Sequence, residues 1–183
     1  MDFSIVYLFK GNLNKEIERL KRDISSFGPK VALEWPSTIE LRKGFDIPEE
    51  KLKEITSRFK GFIKNIKSFQ ITLKDFEFIE ETSLDKKDCI KNNYFILIKI
   101  NNSVELNSLK NKLNEFRIDI NEDNEDFNPN IKLAFDDLTE SSFKKIKSHL
   151  KRKKFNNNLY IDNISLLLNK NDKHIIYKSF NLS

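Results

Sequence analysis

Trp35-Pro36-Ser37-Thr38-Ile39-Glu40-Leu41-Arg42-Lys43-Gly44-Phe45 alternates apolar and polar side chains from Thr38 onward. A period of two on a strand puts Ile39 and Leu41 on one face, and Thr38, Glu40 and Arg42 on the other. A second stretch in the later half of the chain, Phe127-Asn128-Pro129-Asn130-Ile131-Lys132-Leu133-Ala134-Phe135, repeats the arrangement: a proline, then apolar residues alternating with Asn130, Lys132 and Ala134. The two stretches share only a faint sequence likeness, so periodicity alone does not establish a duplication.

Outward from these strands, Phe3 to Phe9 is rich in aromatic and β-branched residues and reads as a strand. Leu13, Ile17, Leu20 and Ile24 have helical spacing, and Gly28-Pro29 ends that helix. Pro48 opens a second helix with an apolar stripe from Leu52 to Ile66. Phe69 to Ile79 is expected as a strand, the charged Glu80 to Asp88 stretch as a loop, and Tyr94 to Ile100 as a strand. Leu106 to Phe116 reads as a helix, Asn121 to Asp126 as an acidic loop and Asn130 to Phe135 as a strand. Phe143, Ile146 and Leu150 mark a further helix, and Leu159 to Leu168 with Ile175 to Phe180 are expected to close the chain as a hairpin. Interleaved helices and strands with no Pro/Gly/Ser linker predict an α+β fold. Residues 1–183 are read as one domain of two pseudo-symmetric lobes, with two antiparallel sheets flanking a central cleft and helices outside.

The 183 residues, 38% of them hydrophobic, suffice to bury such a core. No apolar run approaches the length of a membrane span and Met1 to Phe9 is unlike a signal peptide, so a cytoplasmic protein without membrane association is expected. Cys89 is the sole cysteine, and His149 and His174 are the sole histidines. A disulfide within the chain is thereby excluded, and neither a metal site nor a cofactor is expected. The net charge of +5 is compatible with phosphate ligands without specifying one.

The two quoted strands resemble the paired His-x-Thr strands of the 2H phosphoesterases, which include 2′-5′ RNA ligase-like and cyclic phosphodiesterase-like proteins. The apolar frame is kept. Aligned on Leu41 and Gly44-Phe45, however, Thr38 stands at the first histidine position and Glu40 at the first threonine position, while Asn130 and Lys132 stand at the second pair. Ser37, an extra residue after Pro36, leaves a one-residue ambiguity that brings no histidine into place. The resemblance implies a reaction in which one imidazole is the base and the other the acid. Thr38 and Asn130 cannot move protons that way, and loss of one such group removes about 10² to 10⁴ of rate. The pattern is that of a pseudoenzyme, with no catalytic residue assigned.

What remains is a candidate ligand site of Thr38, Glu40, Arg42, Asn130 and Lys132. Lys132, Arg42, Asn130 and Thr38 can donate hydrogen bonds to a phosphate, which Glu40 opposes. Glu40 and Lys132 are expected to pair and fill the cleft. The run Lys151-Arg152-Lys153-Lys154 offers contacts to a nucleic-acid backbone, or equally a solvated helix end. His149 and His174 fall in neither motif and are expected at the surface. The leading expectation is a non-catalytic protein that binds RNA or a nucleotide-like phosphate ligand. Two alternatives stay open. One is a residual or altered 2′-5′ RNA ligase or 2′,3′-cyclic phosphodiesterase activity that uses Glu40 and Lys132. The other is a protein-interaction module with an acidic surface such as Glu122 to Asp126 and a protein partner that the sequence does not identify.

Overall fold

The structure, a computed structural model, describes residues 1–84, 90–101, 103–116, 129–170 and 173–183. Cys89 and the acidic segment Glu122 to Asp126 lie outside them. The chain opens with β1 (Asp2–Leu8), α1 (Gly11–Ser25) and the short α2 (Val31–Glu34), followed by β2 (Thr38–Asp46). A 3-10 turn leads into α3 (Leu52–Ile63), and β3 (Phe69–Leu84) and β4 (Ile90–Ile100) come next. Then come α4 (Val104–Glu115), β5 (Ile131–Ala134), α5 (Glu140–Leu150), β6 (Asn156–Ile161), β7 (Asn163–Lys170) and β8 (Lys173–Asn181).

The strands form two antiparallel sheets of four, ordered β2-β1-β7-β8 and β5-β4-β3-β6, so the fold is α+β as expected. In each sheet the strand carrying a quoted motif is terminal and pairs with the strand that precedes it in the chain. A continuous apolar cluster draws on strands and helices alike and includes Ile5, Ile39, Phe59, Ile96, Leu133 and Ile146. The helices exchange partners between halves: α1 lies against β5, and α4 against β2. No helix among the described residues is long and apolar enough to cross a membrane.

Local chemistry sets the helix ends. Gly28 takes φ 126°, a backbone conformation that side-chain-bearing residues avoid, and stops the chain after α1. The Ser103 hydroxyl accepts from the Leu106 amide to cap α4, and Thr139 and Ser142 form a reciprocal capping box on α5.

Two expectations are corrected here. Glu80 to Leu84, read as loop, continues β3 and pairs with Tyr94 to Ile90. The ribbon is polar because Glu80 to Ser83 are exposed, and bonds such as Thr82 to Asn92 and Asn93 to Ser83 cross it in place of apolar packing. Leu159 to Leu168 is likewise two strands: β6 pairs with β3 in one sheet, Asp162 intervenes, and β7 pairs with β1 in the other. The closing hairpin is β7 with β8. The change of sheet falls at Asp162-Asn163, between a β6 that buries only Leu159 and Ile161 and a β7 that is buried from Asn163 to Leu167.

Candidate functional site

Thr38 and Glu40 from β2 line one pocket together with Asn130 and Lys132 at β5. Its floor is apolar, formed by Val6 and Leu167 of the neighbouring strands, which with Leu8 make a small cluster separate from the main core. Trp35, Pro36 and Phe135 form walls, and Lys21 enters from α1. The pocket thus joins the two terminal strands that the sequence singled out. Its volume is about 30 Å³, room for a water molecule or two.

Lys132 and Glu40 pair inside it. Lys132 Nζ donates to Glu40 Oε2 at 3.1 Å, with 30% and 17% of the two side chains exposed. The same ammonium stands 5.5 Å from the centre of the Phe135 ring and 6.0 Å from that of Trp35, within cation-π range. The two rings meet edge-on at 5.4 Å. The expected ion pair is therefore present, within an aromatic corner.

Arg42 is placed differently from the shared face that alternation assigns to it. On β1 the consecutive residues Ile5 and Val6 oppose Arg42 and Glu40, so Leu41 is an extra residue on β2. Such a bulge shifts the alternation by one. Glu40 sides with Val6 on the pocket face, whereas Arg42 sides with Ile5. The Arg42 guanidinium is buried there and donates to the carbonyls of Leu113 at 2.9 Å and Phe116 at 2.7 Å, closing the C-terminal end of α4. β5 repeats the device: Ile96 and Leu97 oppose Ala134 and Lys132, leaving Leu133 as the extra residue. Ala134, expected beside Lys132, joins the core instead.

Other polar groups at the site escape the motif reading. Lys21 is 2% exposed. Its ammonium donates to the Trp35 carbonyl at 2.8 Å and to Glu18 Oε1 at 3.3 Å, and the Ser37 hydroxyl donates to the same carboxylate oxygen at 2.5 Å. Burial pulls the Lys21 ammonium below the ordinary lysine range, with the charge of Glu18 acting against that shift. Lys21 recurs with Ile17 and Ile24 at i, i+4 and i+7, a spacing that placed it on the inner face of α1. Asp137, just after β5, accepts from the amides of Lys30 at 2.6 Å and Val31 at 3.1 Å. Through α2 this ties the second half of the chain to the segment that carries Trp35.

Neither histidine lines the pocket. The His174 ring packs on Trp35, with centroids 3.5 Å apart, and its Nδ1 bonds Asn169 Oδ1 at 2.8 Å. His149 Nε2 lies 2.9 Å from Asp23 Oδ2, and the side chain is 34% exposed. Lys151 to Lys154 follow α5 and are exposed, Lys153 also bonding Asp23. None of these four lines the pocket. Among the described residues no group of three or more His, Cys, Asp or Glu side chains is placed to hold a metal.

No protein-family model and no curated protein matches the sequence. Solved structures do match over the full length. TT0787 of Thermus thermophilus superposes with a TM-score of 0.70 at 12% identity, covering 100% of this chain and 98% of that one. E. coli LigT in its apo form gives 0.65 at 15% identity, covering 100% and 99%, and a protein described as a phosphoesterase gives 0.62 at 15%, covering 99% and 97%. LigT has also been solved with 3′-AMP and with phosphate. The chain has a LigT-like fold.

Proposed function

We propose that the cleft between β2 and β5 binds a nucleotide-like phosphate, such as the 3′-phosphate end of an RNA, without two-histidine acid–base chemistry. The observation that carries this reading is the convergence of Thr38, Glu40, Asn130 and Lys132 on one pocket across the two sheets. A phosphate displaces the Glu40 carboxylate from Lys132, since both are anionic acceptors for the same ammonium. Thr38 and Asn130 supply neutral donors. Lys21 adds a third N–H beyond the two given to Trp35 and Glu18. The binding of 3′-AMP and phosphate by LigT, a protein of the same fold, supports this ligand class.

Titration calorimetry with 3′-AMP tests the reading. Wild type is expected to bind with micromolar to millimolar affinity, and Lys132→Ala about tenfold or more weaker. Equal affinity in the two proteins would contradict it.

A second reading, altered phosphodiesterase or RNA ligase activity with Glu40 and Lys132 as acid and base, draws on the same pair. Their 3.1 Å bond within a half-buried corner favours a structural ion pair over two separately poised groups. Turnover of a 2′,3′-cyclic nucleotide by pure wild type and its loss in Glu40→Ala would establish that reading instead.

A further inference from the structure

The outer side of α1 bears a second concavity with a different chemistry. Lys15, Arg19 and Arg22 lie at i, i+4 and i+7, a basic stripe about 10 Å long on the face opposite the buried Lys21. Facing it are Lys153 and Lys154 from the run after α5, with Glu16 and Asp23 between. Asp23 is occupied by Lys153 and His149, whereas Glu16 accepts a single 3.4 Å bond from the neutral Asn157 amide and keeps its charge at the rim. Among the described residues no carboxylate ion-pairs with Lys15, Arg19, Arg22 or Lys154. The floor is apolar: Leu20, the buried Phe155 and the half-buried Phe76, whose ring lies 6.0 Å from that of Phe155. Phe76 follows Asp75, which takes φ 60° where β3 slips register against β4 between Leu73 and Phe76. The groove measures about 910 Å³, against about 30 Å³ for the cleft pocket.

Cations along both rims with an aromatic ring on the floor are the means by which proteins hold single-stranded nucleic acid: the cations follow the phosphates, and the ring stacks on a base. An acidic peptide would use the rims and leave the ring idle. We propose that this groove binds a segment of single-stranded RNA, with Lys15, Arg19, Arg22 and Lys154 on the backbone and Phe76 against a base. The groove shares no lining residue with the cleft pocket, and the proposal stands independently of the phosphate reading given for the cleft.

Fluorescence anisotropy with a labelled oligouridylate of about a dozen nucleotides, over a range of salt concentrations, tests the groove. Replacing Lys15, Arg19 and Arg22 together by alanine is expected to weaken binding more than tenfold. The slope of log affinity against log salt should become shallower by about 2, since each single-strand phosphate contact contributes about 0.7. Phe76→Leu retains an apolar side chain over Phe155 and is expected to weaken binding about fivefold or more through lost stacking. With an oligouridylate that ends in a 3′-hydroxyl, and so lacks the phosphate proposed for the cleft, Lys132→Ala should leave binding within about twofold, while the triple variant keeps the 3′-AMP affinity of wild type. Unchanged affinity and salt slope in the triple variant would overturn the proposal. So would an oligoglutamate peptide that binds as tightly as the RNA and is indifferent to Phe76→Leu.

Discussion

Lys132 Nζ and Glu40 Oε2, 92 positions apart in sequence, meet at 3.1 Å and join the terminal strands of the two sheets. Neighbouring bulges at Leu41 and Leu133 allow this: each aims the residue just before it into the cleft and turns the residue just after it toward the core or a helix end. The pair sits where the resemblance to the 2H phosphoesterases implies threonines.

Breaking the pair from one side should cost more than removing it. Lys132→Met leaves a half-buried Glu40 carboxylate without its cation and is expected to lower stability by about 1–3 kcal/mol. Adding Glu40→Gln should recover most of that loss. Urea unfolding of the two single variants and the double variant measures the coupling, and strictly additive losses would mean that the pair is not energetically linked.

Arg42 belongs to the architecture. Arg42→Met retains the aliphatic stem, removes two charge-assisted bonds to the end of α4, and is expected to cost about 2–3 kcal/mol. Its 3′-AMP affinity should match wild type. A selective loss of binding with unchanged unfolding would return Arg42 to the ligand site.

Lys21 gives the protein an alkaline signature. Its folded pKa lies below the ordinary 10.5, so the unfolded chain holds the extra proton in that interval, and stability rises with pH on approach to 10.5. Tyr7 acts in the opposite sense. Burial, aided by Asp162, pushes its phenol from 10.0 to about 12, so its contribution is intact below pH 10 and is lost as pH rises toward 12. Urea midpoints below pH 10 therefore isolate Lys21: the rise in wild type should be absent from Lys21→Met.

Asp23 gives an acid-side counterpart. Bonds from Lys153 first, and His149 second, hold its carboxyl below 3.8. Its contribution is therefore present above 3.8 and lost as pH falls through the depressed value. With 35% of the side chain exposed, Asp23→Asn should cost under about 1 kcal/mol at neutral pH and nothing in strong acid, as measured by urea unfolding.

Much of this was legible in the sequence. Helical spacing located α1, α3, α4 and α5, and period-two alternation located the strands that carry Glu40 and Lys132. Alternation could not give the face of Arg42 or Ala134, because a one-residue bulge reverses everything beyond it and has no compositional mark at Leu41 or Leu133. The Asp137 tether to α2 depends on tertiary placement and leaves no local pattern. Lys21 did leave one: it stands between Ile17 and Ile24 on a buried stripe, where a lysine signals a buried partner. The outer groove assembles residues from α1, β3 and the segment after α5, which no single window of sequence contains.

The most direct test of the cleft is calorimetric titration of 3′-AMP into wild type and Glu40→Gln. If a phosphate replaces the Glu40 carboxylate on Lys132, the variant frees the ammonium, removes a like charge from beside the ligand, and binds about tenfold tighter. Equal or weaker binding by Glu40→Gln would contradict the account, because Glu40 would then not be the group that a phosphate displaces.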